Sequence, residues 1–422
     1  MKLSKYNHYT KIADKYIIYN FYTGAMIALN EEKYYQLINN SNFCEEEINV
    51  LQDFGFLVDN NEQFDKIQTE YFREKFDNKN INLTFELTNA CNLHCKYCYQ
   101  ERRPKKLTLD NVPEIVNAVE KVISKGIESL YVHWFGGEPT LNLDVLITLD
   151  NEFKKLSKDY NFVYNSNITT NGFDIDKIID KLLDTSIVKY QITLDGIGKY
   201  HNYTRPASNG DKTFDKIFNN IKTILNNKKT VVIRYNMNKL NSDIRPFLEY
   251  IEKNNLTGDF HIHLHETTCF ENSMDINNFY FNDIQEYSDK LNDAYKALLN
   301  YGYKIPKYRR FGTNCPFDCD NNFYIASDLS LLRCSSCDNS RDFRLGRIES
   351  QKFNLNFDSK MQKKSYNPID TNKCRDCNVL PICNGGCFLK KSLKLDECIP
   401  EKYFLDDYVK MLYLEEKGVN YV

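Results

Sequence analysis

Alternating apolar and polar residues, interrupted at intervals by helical periodicity, organise most of this chain. Six short runs alternate with a period of two, over 82–87, 129–134, 162–169, 188–194, 230–236 and 259–265. That period sends successive side chains to opposite faces of a strand. Segments with apolar residues at helical spacing follow them, near 111–123, 143–156, 175–183, 213–225, 243–253 and 277–299. Six strand–helix units in succession predict an α/β domain with a parallel sheet and right-handed crossovers. Ahead of them, 15–21 and 25–29 read as a hairpin turning at Thr23-Gly24. Helices near 31–39 and 44–53 and a short strand at 55–58 complete a small winged-helix-like α+β piece. Residues 60–80 are polar and charged and read as a helical linker.

Length and charge narrow the function classes. A chain of 422 residues is long for one domain and fits two or three. Its net charge of −3 gives no electrostatic footprint for nucleic acid. No apolar run reaches 18 residues and no charged-then-apolar leader follows Met1, so neither a membrane span nor a secretion signal is expected. The expected location is cytoplasmic. Fourteen cysteines in a reducing compartment point to metal rather than disulfides.

In βα barrels the chemistry sits in the loops at the C-terminal ends of the strands. The unusual residues of this chain fall there. After the first strand comes Thr88-Asn-Ala-Cys91-Asn-Leu-His-Cys95-Lys-Tyr97-Cys98-Tyr99, with three thiols spaced CxxxCxxC. A structural zinc site takes four protein ligands, whereas an iron–sulfur cube on three thiolates keeps one iron open. A zinc knuckle is the alternative on this spacing alone. After the second strand comes Phe135-Gly136-Gly137-Glu138-Pro139, where two glycines allow close backbone approach and Glu138 offers an acceptor. Thr169-Thr170-Asn171-Gly172 follows the third strand. Thr193-Leu194-Asp195-Gly196 follows the fourth, and then His201-Asn202-Tyr203-Thr204-Arg205. His261, His263 and His265 share one face of the sixth strand. They read as polar lining of a barrel mouth in preference to a tri-histidine metal site. Arg234 and Asn236 end the fifth strand as candidate chamber lining, His133 reads as a satisfied core histidine, and 102–106 as a solvated basic face.

Cysteines thicken from Cys315 onward, through Cys319 and Cys334, then Cys374-x2-Cys377-x5-Cys383-x3-Cys387, and finally Cys398. A zinc ribbon on Cys374 to Cys387 is the alternative here. Cys44 is expected to be a buried small hydrophobe. Cys337 and Cys269 are candidate hydrogen-atom donors or alternative ligands.

The CxxxCxxC loop, the GGEP segment and the later cysteine series together resemble the radical S-adenosylmethionine (SAM) enzymes that carry a SPASM domain. The resemblance covers roughly residues 81–400. It implies a partial (β/α)₆ TIM-like barrel over 81–305 and a cysteine-rich SPASM domain with a C-terminal helix over 306–422. It also implies a leader-recognition-like domain plus linker over 1–80. Three 4Fe–4S clusters are implied. Cys91, Cys95 and Cys98 would hold the SAM-binding cluster. Cys315, Cys319, Cys334 and Cys387 would hold an inner auxiliary cluster, with Cys315 as its closing ligand, and Cys374, Cys377, Cys383 and Cys398 an outer one. Tyr97, Gly136, Gly137, Glu138, Thr170, Asn171, Thr193 and Arg205 would contact SAM. Relatives usually have glycine at the position of Leu329, in a strand turn five residues before Cys334.

The implied activity is an oxygen-sensitive peptide maturase of the thioether-forming sactipeptide or ranthipeptide type. Its 5′-deoxyadenosyl radical would abstract hydrogen from a ribosomally made precursor peptide. The implied partners are that peptide and an external electron donor such as flavodoxin or ferredoxin, with no nucleic acid and no membrane. The alternatives are formylglycine formation, as in anaerobic sulfatase maturases, and peptide epimerisation. Sulfatase maturases carry an acidic residue directly after the cysteine matching Cys334, where this chain has Ser335.

Overall fold

The computed structural model describes residues 1–39, 43–59, 62–100, 105–268, 279–308, 310, 315, 318–336 and 343–421. Cys269, Cys337 and positions 102–104 of the basic run lie outside the described residues. Two compact units result. One contains Met1–Phe76, Asn282–Cys315 and Tyr366–Val422, and the other Asp77–Phe281 and Pro316–Ser365.

The first unit begins with β1 (Lys2–Leu3), β2 (Asn7–Ile12), β3 (Lys15–Asn20), β4 (Met26–Leu29), α1 (Glu31–Ile38), α2 (Glu45–Asp53), β5 (Leu57–Val58) and α3 (Glu62–Lys75). The expected hairpin is β3–β4. β2 adds a third antiparallel strand beside β3, with Tyr9 opposite Ile18, and β1 pairs with β5. The sequence of β2, Asn-His-Tyr-Thr-Lys-Ile, has polar residues at both parities, which conceals it from an alternation pattern. Ile18, Leu37, Leu51, Phe56 and Leu57 close a small core beneath these strands and helices. α1 starts where the Asn30 side chain accepts the Lys33 N–H at 2.9 Å.

Two expectations are corrected here. Cys44 is exposed, not buried. It stands at the N-cap of α2, where its backbone N–H donates to Glu47 at 3.1 Å. Residues 62–75 are helical, as expected of the linker, but α3 is part of a core. Ile67 and Tyr71, one turn apart, are fully buried with Tyr6, Ile369 and Leu380. Lys75 is buried as well, its ammonium donating to the Tyr366 carbonyl.

The second unit is built on β6 (Asn80–Glu86), α4 (Val112–Ile123), β7 (Ser129–Phe135), α5 (Leu143–Tyr160), β8 (Val163–Thr170), α6 (Ile179–Leu183), β9 (Ile187–Thr193), α7 (Gly198–Thr204), α8 (Phe214–Asn226), β10 (Thr230–Met237), α9 (Arg245–Lys253) and β11 (Phe260–Glu266). β6 to β11 lie side by side in sequence order and pair in parallel, which is the expected α/β architecture of consecutive strand–helix units. The two faces of this sheet differ in kind. Leu83, Phe85, Leu130, Val132, Trp134, Ile168, Ile192 and Ile233 are buried on one face. The register places Thr84, His133, Asn167, Gln191, Arg234 and His263 on the other. Parallel sheets covered on both faces read as continuous apolar runs. The alternation read from the sequence therefore marks a sheet with one apolar and one polar face.

The helix expected over 277–299 begins later, as α10 (Ile284–Asn300) in the first unit. Asp283 sets that start, its carboxylate accepting the Glu286 N–H at 2.9 Å. The chain then returns to the second unit with β12 (Asn322–Ile325), β13 (Ser330–Leu332), β14 (Arg344–Glu349), β15 (Lys352–Leu355) and α11 (Phe357–Ser365). β12 pairs in parallel with β6, and β13 to β15 follow antiparallel, so ten strands share one sheet. The strand turn before Cys334 forms despite Leu329, whose φ of 66° is left-handed and costs a residue with a Cβ about 1 kcal/mol. α12 (Asn372–Arg375), α13 (Leu380–Cys383), α14 (Phe388–Ser392) and α15 (Leu405–Lys417) complete the first unit. Its buried Glu401 accepts hydrogen bonds from the Tyr295 and Tyr308 hydroxyls at 2.7 and 2.6 Å.

Candidate functional site

The three-thiol loop leaves β6 and is held along its length by backbone contacts. Leu93 bridges Ala207, and the N–H groups of His94 and Lys96 donate to the Pro206 and Thr204 carbonyls at 2.7 and 2.9 Å. Ser208 donates to the Asn92 carbonyl at 2.8 Å. The segment after α7, which carries Arg205, thus clamps the cysteine loop. Cys91, Cys95 and Cys98 are free thiols, partly exposed, within electrostatic reach of one another. Burial pushes the Cys95 thiol up to about 12 against the pull of Arg205. Thiolates there need a compensating cation, which an iron–sulfur cluster would supply. Among the described residues no three His, Cys, Asp or Glu side chains converge on a single metal position.

The glycine pair after β7 is explained by this loop. Gly137 and Glu138 donate their N–H groups to the Thr88 and Ala90 carbonyls, each at 2.8 Å. A Cβ on Gly136, whose φ is 143°, would overlap the Thr88 carbonyl oxygen, and one on Gly137 would overlap that of Ala90. Glu138 is buried, and its carboxylate braces the next loop. It accepts from the Thr140 N–H and hydroxyl at 3.2 and 2.7 Å, the Thr170 hydroxyl at 2.7 Å and the Asn171 N–H at 2.7 Å. Burial raises its pKa and these four bonds oppose the rise. Asn171 then reaches back to the thiols, its amide donating to Asn92 at 2.7 Å and to the Cys91 sulfur at 3.7 Å. Gly136, Gly137, Glu138, Thr170 and Asn171 therefore meet the cysteine loop as one assembly.

A second cluster joins the loop to β9 and β10. Asp195, fully buried, accepts from the Tyr97 hydroxyl and from the Asn236 N–H at 3.2 Å. Arg205 and Asn236 each donate to the Tyr97 oxygen, at 2.7 and 3.0 Å. Burial raises the Asp195 pKa while Arg205 pulls it down. Asp195 was not among the residues singled out by sequence. Its position two residues beyond Thr193 at a strand end was the available signal. Thr193 itself is buried and sits opposite Arg234 in the register. Further along the polar face, His133 meets the Thr169 hydroxyl at 2.8 Å, and burial lowers its pKa to about 4, so it is neutral. His263 and His265 have ring centroids 6.0 Å apart, and His261 lies 3.5 Å from Asp259.

In the first unit, Cys374, Cys377, Cys383 and Cys398 line one pocket, with Lys373, Glu397 and Lys402 at its wall. Short helical turns deliver these thiols. The Thr371 hydroxyl caps the turn of Cys374, and Pro381 opens the turn that ends at Cys383. A Cβ on Gly386, with φ of 76°, would overlap the Glu397 carbonyl oxygen, which accepts the Cys387 N–H at 3.1 Å. Four thiols lining one pocket match in number and kind the ligand set of an iron–sulfur cube. Of the remaining expected ligands, Cys319 and Cys334 belong to the second unit, and Cys315 and Cys387 to the first.

Residues 85–251 match the model of the Radical SAM superfamily. The cysteine-type anaerobic sulfatase-maturating enzyme of Clostridium novyi (strain NT) is 26% identical over 367 residues, covering 79% of this chain and 95% of that protein. The solved structure of native anSMEcpe with bound AdoMet and Kp18Cys peptide superposes with a TM-score of 0.63 at 17% identity, over 80% of this chain and 99% of that one. Streptococcus suis SuiB bound to precursor peptide SuiA gives 0.54 at 15% identity, over 95% and 98%. Both structures share the fold. No helix among the described residues is long and apolar enough to cross a membrane.

Proposed function

We propose, from the premise that residues 85–251 are a radical SAM domain, that this chain is a maturase acting on a ribosomally made precursor peptide and installing a cross-link, most specifically a thioether. The observation that carries the reading is the assembly of Cys91, Cys95 and Cys98 with Gly136, Gly137, Glu138, Thr170 and Asn171 at the C-terminal ends of β6, β7 and β8. Cys91, Cys95 and Cys98 would hold a 4Fe–4S cluster, leaving one position for SAM. When bound, the two supply a 5′-deoxyadenosyl radical that abstracts hydrogen from the peptide. The chain's own residues bind, orient and shield. Gly136 and Gly137 admit close backbone approach, Tyr97, Thr193 and Arg205 face the nucleoside and carboxylate, and the buried Asp195 cluster keeps water from the loop. The polar face of the sheet would receive the peptide.

Two auxiliary clusters complete the reading, the outer on Cys374, Cys377, Cys383 and Cys398 and the inner on Cys315, Cys319, Cys334 and Cys387. It keeps a three-part division: leader recognition over 1–80, the radical SAM core over 81–305, and the SPASM domain over 306–422. An external donor such as flavodoxin or ferredoxin would supply electrons, and the setting is cytoplasmic. The peptide partner has support from the neighbours, since SuiB and anSMEcpe are each seen with a peptide.

A second reading, formylglycine formation, is favoured by the match over 95% of the Clostridium novyi sulfatase-maturating enzyme. Ser335 in place of an acidic residue counts against it. Anaerobic reconstitution tests the common part: about twelve irons per chain, and 5′-deoxyadenosine from SAM with a reductant. Absence of 5′-deoxyadenosine overturns both readings. Co-expression with neighbouring short open reading frames, followed by mass spectrometry, separates them. A precursor lighter by two hydrogens with a newly blocked cysteine supports the thioether, and an aldehyde on a sulfatase-derived peptide supports the rival.

A further inference from the structure

The pocket of Cys374, Cys377, Cys383 and Cys398 contains two lysines, and they are not equivalent. Lys373 is half exposed and forms an ion pair with Glu397 at 3.3 Å. Lys402 instead donates from its ammonium to the Cys398 sulfur at 3.5 Å, on the 3-10 turn Pro400–Tyr403. Among the described residues it has no carboxylate partner. The nearby acid, Asp396, accepts from the Cys398 N–H at 2.8 Å and from the Tyr403 hydroxyl. The wall of the pocket thus holds one cation paired with a carboxylate and one donating to a ligand sulfur, and both lie within electrostatic reach of Cys398, Lys402 acting on it more strongly.

Reducing a cluster on four thiolates adds one negative charge to a centre that is already anionic. Hydrogen bonds to the sulfurs and local net charge are the protein's levers on its potential. A cation donating N–H to a ligand sulfur stabilises the more negative, reduced state preferentially. We infer that Lys402 sets the reduction potential of the outer auxiliary centre upward through Cys398, while Lys373, tied to Glu397, contributes less. Lys402 is a positioning and tuning residue here, acting through the sulfur and not on any substrate.

This rests on the reading that the pocket holds a 4Fe–4S cluster, and the test separates the two. The full chain carrying Cys91→Ala, Cys95→Ala and Cys98→Ala removes the SAM-binding centre and leaves the auxiliary ones. It is reconstituted anaerobically, assayed for iron, and titrated by EPR against potential. No iron uptake overturns the cluster reading itself. With iron bound, adding Lys402→Met should lower one auxiliary midpoint, so that at the parent midpoint the reduced-to-oxidised ratio falls about tenfold, or 59 mV for a one-electron couple. Lys402→Arg should hold the ratio within threefold, and Lys373→Met should move it less than Lys402→Met does. An unmoved midpoint in Lys402→Met, or equal shifts in Lys402→Met and Lys402→Arg, overturns the inference. Loss of the pocket's iron in both Lys402→Met and Lys402→Gln also overturns it, because the residue would then hold the cluster together and not tune it.

Discussion

The two best-defined thiol groups solve opposite problems. Cys91, Cys95 and Cys98 lie on one extended loop, and the neighbours that fix it come from three strand ends and from the segment at the end of α7: Gly137 and Glu138, Asn171, Asp195, and Thr204 and Pro206. Cys374, Cys377, Cys383 and Cys398 come from consecutive short turns and fix one another through local contacts and a shared pocket. On the proposed reading, the first site must accept a ligand, would keep its coordination incomplete and takes its rigidity from the surrounding strand ends. The second would only store charge, and can be closed and local. Three thiols with buried carboxylates nearby, against four with lysines nearby, express that difference in sidedness and charge.

The largest expected effect breaks the comparison at its root. Cys95→Ala should abolish 5′-deoxyadenosine formation and remove about four irons per chain. Cys383→Ala should remove as many irons yet leave dithionite-driven SAM cleavage within about threefold, while peptide product is lost. If both variants lose SAM cleavage equally, the two regions are not separate in role. Next come the glycines that crowd against carbonyls. Gly137→Ala should lower SAM cleavage at least tenfold by displacing Ala90, and Gly386→Ala should lower iron content without that loss, by displacing Glu397. Iron analysis beside product analysis distinguishes the two outcomes.

A smaller effect separates charge from packing beneath the first site. Burial holds His133 at a folded pKa of about 4, below the ordinary 6.5. The unfolded chain therefore takes up a proton first as pH falls. Stability from this group is whole above about 6.5 and is lost between there and about 4, by up to roughly 3 kcal/mol. His133→Gln keeps a partner for Thr169, so the gap between its denaturation midpoint and that of the parent should close or invert from pH 7 to pH 4. A gap constant with pH would show that His133 is not held neutral. The smallest effect concerns Leu329. Its turn is left-handed like that of Gly386, and the Leu329 side chain is only partly buried. Leu329→Gly should change stability by no more than about 1 kcal/mol, in favour of glycine, in urea denaturation.

Much of this was legible because alternation is a local signal. β6 to β11 announce themselves as runs of period two, and the loops behind them carry the residues that do not belong in a core. The Cys374 pocket was legible for a similar reason, since its spacing is set by turns of a few residues. The strands β12, β13 and β15 were not, because three or four residues hold too few alternations to register, and the partner of β12 lies 240 positions earlier in register, Asn322 against Asn82. The Asp195–Tyr97–Arg205–Asn236 cluster was hidden for another reason. Each member is an ordinary polar residue at a strand or helix end, and only tertiary packing shows that one phenol oxygen serves three of them. α3 looked like a linker because Ile67 and Tyr71 form a stripe only two residues wide in a charged segment.

The two-faced sheet has a consequence for how this protein can change. On the packed face, a substitution at Val132, Trp134 or Ile168 opens a cavity or forces strain, typically several kcal/mol from a total that is rarely large. On the polar face, Thr84, Asn167, Gln191 and Arg234 are partly buried positions whose exchange leaves the apolar core intact. Mutational tolerance should therefore alternate along each strand, residue by residue. One set of positions is locked by folding, while the interleaved set stays free to drift on an unchanged scaffold.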